Sequence, residues 1–289
     1  MNEHTRKMLE DARNLKFDDV LNDLDYEDVD INSSDNYGKT LLHYASFHNN
    51  IFTILKLLVK FNVNLNAYDK YYRSVLHLAI LERSDESVMA LLTQKTIKVN
   101  IQDAHGDTVL HSIFVPSNYS DDLCDNLQYL NLFLAHGNIN LNSQNKSGQM
   151  SLHYSIAFRD MDSFKLLVSR EDVEINMEDK EGKTALHYAI ELNDIKCGQQ
   201  LLAHTDVDPN ITDIYGQTPL LLAVQNFHVQ YVKELLCHKD INPHLKDKLG
   251  RTPLQVAELL FEALSDDAYS QYKRICMCII ELRRMICQI

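Results

Sequence analysis

A short block returns along this chain at a nearly fixed interval, and no other feature limits its fold so strongly. Residues 179–189 read DKEGKTALHYA, and related blocks begin at Asp35, Asp69, Asp103, Asn145, Asp213 and Asp247. Successive starts lie 34, 34, 42, 34, 34 and 34 residues apart. A period of this size belongs to an array of supersecondary units. Each unit is too small to bury its own apolar face, so it stacks on its neighbours. Length alone would allow the 289 residues one or two compact domains. The period replaces that expectation with a single stacked array.

Each unit reads as turn, helix, helix and extended arm. In residues 179–212, Gly182 suits a tight turn with positive φ and Thr184 is placed to cap a helix. Leu186, Ala189 and Ile190 then form one apolar stripe at helical spacing. Asn193 and Asp194 end that helix, and Ile195, Leu201 and Leu202 mark the second. DVDPNIT is the arm. The other copies agree. Gly38, Gly106, Gly148, Gly216 and Gly250 hold the turn position, where only Tyr72 departs. Thr40, Ser74, Thr108, Thr218 and Thr252 hold the cap, with Pro219 and Pro253 preorganised for the first helical turn.

The pattern D-x-x-G-x-T-x-L-H-x-A in Asp35–Ala45 and Asp179–Ala189, and D-x-x-G-x-T-P-L in Asp213–Leu220 and Asp247–Leu254, resembles the ankyrin repeat. Tetratricopeptide repeats share the period but lack this block. One departure is an arm longer by one residue than the usual ~33-residue unit. The resemblance implies an all-α fold, an ankyrin-repeat solenoid of stacked helix-turn-helix units with β-hairpin-like turn tips. The expected boundaries are an N-terminal half-repeat or cap at 1–34 and repeats at 35–68, 69–102, 103–144, 145–178, 179–212, 213–246 and 247–289. The half-repeat rests on DVDIN at 28–32, which aligns with NVNLN at 62–66. At the other end, 254–264 fits a first helix and 269–286 a longer second one, either a cap or a partner-binding helix. That segment resembles a ubiquitin-ligase adaptor box only in part, since the proline-containing tail is missing. The third repeat carries eight extra residues within FVPSNYSDDLCDN, 114–126. They are either a tolerated surface loop or a functional one, with Tyr119, Asp121 and Asp122 as its contact candidates.

Little in the chain points to catalysis. His43, His77, His111, His153 and His187 share one repeat position, so successive rings lie on the order of 10 Å apart, too far to share an ion. The resemblance implies that this histidine bonds the turn framework. No phosphate-binding glycine loop, H-E-x-x-H or G-x-S-x-G occurs. No enzyme activity, cofactor or metal is therefore expected. A second repeated position holds Asn66, Asn100, Asn142, Asn176 and Asn210, preceded by Asn32 and followed by His244. Asparagine there suits a backbone bond across the turn. The resemblance adds that such residues are possible targets of an asparaginyl hydroxylase.

Composition narrows the partners. A net charge of −13 argues against nucleic acid, whose phosphates reward lysine and arginine. Residues 18–30 carry seven acids and no base; they form either a solvated acidic end or a patch that steers a basic partner. The start, MNEHTRKMLEDARNLKFDD, has no apolar signal core, and no apolar run reaches the ~18 residues of a membrane span. Six cysteines without regular spacing fit a reducing, intracellular compartment, cytoplasmic or nuclear.

The expectation is a monomeric, non-enzymatic scaffold, adaptor or regulator that binds another protein carrying a basic patch. The resemblance places the contacts on the turn tips and the concave first-helix surface. Tip candidates are Tyr37, Tyr71, Tyr72, His105 and Tyr215; first-helix candidates are Phe47, His48, Leu81, Glu82, Phe158, Glu191 and Gln225. Three alternatives stand beside this: an inhibitor resembling the IκB class that masks a basic region of a transcription factor, a host-directed effector of a parasite, symbiont or virus, and a substrate-positioning subunit of a ligase or kinase complex.

Overall fold

The structure is a computed structural model describing residues 1–60, 62–116, 126–263 and 269–286. Its chain divides into two units, Met1–Lys146 and Ser147–Ile289. Unit 1 holds α1 (Glu3–Arg13), α2 (Phe17–Asp23), α3 (Leu41–Phe47), α4 (Ile51–Leu58), α5 (Val75–Leu81), α6 (Asp85–Leu92), α7 (Val109–Phe114) and α8 (Asn126–His136). The helices α1, α3, α5 and α7 pack side by side in one layer, and α2, α4, α6 and α8 form the second. Unit 2 repeats the plan. Its α9 (Ser151–Ala157), α11 (Ala185–Glu191), α13 (Pro219–Gln225) and α15 (Pro253–Ala263) form the first layer; α10 (Met161–Val168), α12 (Ile195–Ala203), α14 (Val229–Leu236) and α16 (Tyr269–Ile286) form the second. Among the described residues there is no strand, and isolated bridges join Ser34 to Thr40 and Tyr68 to Ser74 at two tips. This is the stacked helix-turn-helix architecture expected from the period.

Residues 1–34, expected as a half-repeat, hold a helix pair that packs on α3 and α4. The additional helix, α1, has no Asp-Gly-Thr block ahead of it. Asn2 caps it instead, accepting the Thr5 N–H at 2.8 Å. Thr5 Oγ1 in turn accepts the Asp30 N–H at 3.0 Å and ties α1 to the first arm. The eight-residue insertion falls largely on 117–125, so Tyr119, Asp121 and Asp122 lie outside the described residues.

Local sequence explains the short helices. Three second helices begin at a capping side chain: Asn50 accepts the Thr53 N–H at 2.9 Å, Asp160 the Ser163 N–H at 3.0 Å and Asp194 the Cys197 N–H at 3.1 Å. Five first helices end in left-handed residues, Asn49, Arg83, Arg159, Asn193 and Phe227, with φ between 50° and 58°. Arginine is a poor choice for that conformation, and its side chain offsets the cost. Arg83 donates to the Ile113 carbonyl at 3.0 Å and Arg159 to the Leu192 carbonyl at 3.0 Å. Each guanidinium thus satisfies an open carbonyl at the end of the next first helix.

The apolar faces close the stack. Ile54, Leu57, Leu76, Ile80 and Phe133 are fully buried in unit 1, as are Phe164, Leu167, Leu201, Tyr231 and Leu235 in unit 2. Each such side chain contributes about 1.5–3 kcal/mol on burial. One site shows how neighbours compensate. Gly198 stands where the other second helices carry Ile54, Val88, Phe164 and Val232. A Cβ there would collide with the ring of Tyr231, which itself replaces the Thr53, Ser87, Ser163 and Cys197 of other copies. The tyrosine of one pair fills the space its predecessor gives up.

Polar groups fix the register of the tips. Asp35 Oδ1 accepts the N–H groups of Tyr37 and Lys39 at 2.8 and 2.9 Å, and Asp69, Asp103, Asp179, Asp213 and Asp247 repeat that pair of bonds. Adjacent tips are then joined through their backbones. In unit 1 the N–H of Lys70 donates to Tyr37, that of Ala104 to Tyr71 and that of Lys146 to His105, at 2.8–2.9 Å. This approach explains the glycine. Gly38 has φ +74°, and a Cβ there would come within 2.9 Å of the Lys70 nitrogen.

The repeated histidines tie each first helix to the next tip. His43 Nδ1 accepts the Thr40 N–H at 3.1 Å, and its Nε2 donates to the Arg73 carbonyl at 3.3 Å. His77 does the same with Ser74 and Asp107, and His187 with Thr184 and Gln217. An Nδ1 that accepts a backbone N–H has no room for a proton, so these rings are neutral. In the last repeat glutamine replaces the histidine, and Gln255 Oε1 accepts the Thr252 N–H at 2.9 Å.

Two expected outcomes follow from this packing. Gly198→Val should destabilise unit 2 by about 1–3 kcal/mol through overpacking, measured as a lower urea midpoint. Adding Tyr231→Ser should recover part of that loss. The second outcome concerns pH. Burial holds the His43 pKa down at about 4 from its usual 6.5, and it also lowers His77 and His187. A depressed imidazole pKa gives stability that is complete above pH 6.5 and is lost as pH falls toward 4. The loss through His43 is about 3 kcal/mol at ~1.4 kcal/mol per pKa unit. Urea midpoints measured between pH 7 and pH 4.5 should fall steadily, and His43→Gln should flatten that slope.

Candidate functional site

With the framework bonds made, side chains at the tips and at the ends of the first helices are among those that remain outward. In unit 1, Tyr37, Tyr71, Tyr72 and His105 are exposed at successive tips. Phe47 and His48 at the end of α3, and Leu81 and Glu82 at the end of α5, are half-buried behind them. The His48 ring meets Phe47 edge-on at 4.8 Å, and burial, with Lys39 nearby, holds its pKa down. Tyr72 occupies the turn position with φ 59°, and its ring stacks on Tyr68 at 5.4 Å. A non-glycine residue in the left-handed region costs roughly 1–2 kcal/mol, so this tip retains strain and an exposed aromatic pair.

Sequence reading picked out the aromatics of unit 1 but not the cations among them. Lys70 Nζ lies 4.2 Å from the Tyr37 ring centre and 5.1 Å from that of Tyr71. Arg73 stands 5.0 Å over Tyr71 and Arg13 stands 5.6 Å over Tyr37. Lys39 Nζ is 4.9 Å from the Phe47 ring and 5.3 Å from Tyr44. Burial and the charge of Arg73 push the Lys39 pKa down. Burial pushes the Glu82 carboxyl up, although Lys39 and Arg73 pull it down. The available signal was the basic residue two places after Tyr37 and Tyr71, Lys39 and Arg73.

Unit 2 uses the same positions differently. Tyr215, Phe158 and Glu191 are exposed, and Gln225 is half-buried, accepting a bond from Gln217 Nε2 at 3.0 Å. Its tip positions also hold Ser147 and Glu181. Lys183, the counterpart of Lys39, pairs with Glu191 at 2.7 Å and Glu181 at 3.0 Å. Burial opposes its charge, but the two carboxylates prevail and its pKa rises.

The repeated asparagines reach the neighbouring arm and not merely their own turn. Asn66 Nδ2 donates to the Thr96 carbonyl at 2.9 Å, and its Oδ1 accepts the Lys98 N–H at 2.7 Å. Asn100 makes the equivalent bonds to Asn138 and Asn140, Asn176 to Asp206 and Asp208, and Asn210 to Asp240 and Asn242. The Asn142 N–H donates to Asn140 Oδ1 at 3.0 Å. Among the described residues no three His, Cys, Asp or Glu side chains converge as metal ligands, and no helix is long and apolar enough to cross a membrane. Cys197, Cys237, Cys276 and Cys278 are free thiols, and burial pushes that of Cys197 up to about 12.

Comparisons with known proteins agree with this geometry. The family signature of ankyrin repeats matches residues 10–103, 120–213 and 197–262. A sequence comparison with curated proteins finds no match. Among solved structures, the chain is similar to the ankyrin repeat domain of Bcl-3, described as a unique member of the IkappaB protein family. That similarity has a TM-score of 0.68 and 25% identity, and covers 86% of this chain and all of the other. It is also similar to EF0377, an ankyrin repeat protein, with a TM-score of 0.58 and 20% identity over 74% of this chain and 98% of that one. Repeated tips, helix pairs and family signature together make this chain a member of the ankyrin-repeat family.

Proposed function

We propose that the chain is a non-enzymatic protein-binding module, a scaffold, adaptor or regulator that displays partner-specific side chains on its tips and first helices. Ankyrin repeats are protein–protein interaction modules, and the observation that extends this to particular residues is the division of labour in each repeat. Asp, Thr and His are consumed by the framework, while Tyr37, Tyr71, Tyr72 and Tyr215 are left exposed. Large aromatics are the residues most often found to dominate binding energy. The net charge of −13, with Asp18, Asp19, Asp25, Glu27 and Asp28 exposed near the N-terminus, supports a partner that carries a basic region. The module is proposed to act as a monomer inside the cell, in cytoplasm or nucleus. Hydroxylation of Asn66 or its counterparts would require the amide to leave both of its arm bonds.

An IκB-like inhibitor is the alternative with a specific observation behind it, the similarity to the Bcl-3 ankyrin domain. The motif D-S-G-x-x-S is not present in the sequence. Affinity capture with mass spectrometry from the native cell separates the readings. A dominant transcription factor supports the inhibitor, proteins of a host organism support an effector, and ligase or kinase subunits support a substrate-positioning role.

The same capture tests the tips. Tyr71→Ala, Tyr72→Ala and Tyr215→Ala combined should cut recovery of the dominant partner about tenfold or more with the thermal midpoint little changed. Undiminished recovery removes the tips from the binding surface. Tyr72→Gly alone should keep or raise the thermal midpoint, because it releases about 1 kcal/mol of backbone strain, while lowering recovery.

A further inference from the structure

We propose that the tip and first-helix face of unit 1 binds an extended acidic peptide segment of a partner protein, its carboxylates seated on Lys39 and Lys70 and its apolar side chains against Tyr37, Tyr71 and Phe47. This rests on the protein-binding reading above and adds the chemistry of the bound segment. Its basis, among the described residues, is two ammonium groups outside any ion pair; Asp35, Asp69 and Glu82 act on Lys39 only through space. Among the described residues Lys39 and Lys70 have no carboxylate partner, and each instead faces two aromatic rings. A ring face attracts an ammonium without neutralising it, and it holds the long side chain in place before a ligand arrives.

The carboxylates of the same face are spent elsewhere. Asp35 accepts two backbone N–H groups and the Tyr44 hydroxyl, the latter at 2.7 Å. Asp69 is only 2% exposed and is held by its own turn and by Arg73. Glu82 is half-buried behind the tips. Lys39 and Lys70 therefore remain cations without an ion-pair partner on this face. Lys39, crowded by burial and by Arg73, is a cation that a bound carboxylate would stabilise. Unit 2 serves as the internal control. At the equivalent position Lys183 is already paired with Glu181 and Glu191, so the cation of unit 1 is a local choice and not a demand of the repeat.

The chain's net charge of −13 does not decide this contact. Screening limits the reach of exposed charges to about 8 Å at physiological salt, so the nearest groups govern. Net charge does disfavour a polyphosphate, which collects its affinity over many contacts. Geometry sets the spacing of the ligand. Lys39 and Lys70 start from adjacent tips, on the order of 10 Å apart. An extended chain advances ~3.3 Å per residue, so acidic side chains about three residues apart meet successive cations.

The test is fluorescence anisotropy at physiological salt with the full-length chain. The probe is a dye-labelled peptide of about twelve residues, glutamate at every third position and leucine or serine between, long enough to pass several tips. Its lysine-for-glutamate twin and a single-stranded DNA of similar length are the comparisons. The acidic peptide should bind at least about tenfold tighter than the DNA, and any binding of the lysine peptide, which the exposed acids near the N-terminus attract, should not depend on Lys39 and Lys70. Lys39→Gln with Lys70→Gln should weaken acidic-peptide binding about tenfold while Lys183→Gln changes it less than about twofold. Melting curves followed by circular dichroism confirm that the variants fold. Equal or tighter binding of the DNA overturns the proposal, as does undiminished binding of the acidic peptide by the double variant. If the acidic peptide fails while tyrosine substitution still abolishes partner capture, the peptide chemistry is wrong and the binding-module reading stands. If capture is insensitive as well, both fall.

Discussion

A pair of short helices, six to eleven residues long in all but α16, cannot hide its apolar face within itself, and in both units of this protein a neighbouring pair hides it. The same dependence governs the polar groups. His43 needs a carbonyl from the next tip, Asn66 needs the next arm, and Arg83 repays its left-handed backbone only by reaching the end of the next helix. A buried polar atom without a partner costs about 1–3 kcal/mol. One register therefore satisfies these bonds together, and a slip between pairs would break several at once. Apolar burial makes the stack stable, and the polar bonds make its geometry specific.

The period carried most of the fold in plain view. The Asp-Gly-Thr blocks mark where tips and first helices lie, and the last two helices, Pro253–Ala263 and Tyr269–Ile286, match segments whose periodicity is visible without a structure. What escaped sequence reading depends on contacts between repeats. Gly198 looks like a helix breaker until Tyr231, 33 residues on, is seen to occupy its side-chain space. The helix α1 was missed because its cap, Asn2, belongs to no repeated block and its tether runs from Thr5 to Asp30. The asparagine ladder was visible as a column of identical residues, but its target in the neighbouring arm was not.

The candidate surface was half visible for the same reason. Exposed tyrosines at the tips are a one-dimensional signal, since the tip is where the turn places them. The placing of Lys70 between Tyr37 and Tyr71 arises only when tips 34 residues apart come side by side. Identical scaffold positions then carry opposite chemistry, aromatic-backed cations in unit 1 and a carboxylate-paired lysine in unit 2. Because the framework residues take up the structural demand, the display positions are free to differ in this way.

The central claim is that stability resides in the contacts between neighbouring pairs. Native-state hydrogen exchange, read by mass spectrometry on Phe164→Ala, addresses it most directly, because Phe164 is fully buried in α10 and α10 packs against α9 and α12. Exchange should accelerate most in α9, α10 and α12, less in α13 and α14, and least in α15 and α16. An equal acceleration throughout unit 2, as a single globular core would give, or a change confined to α10 alone, would contradict the account.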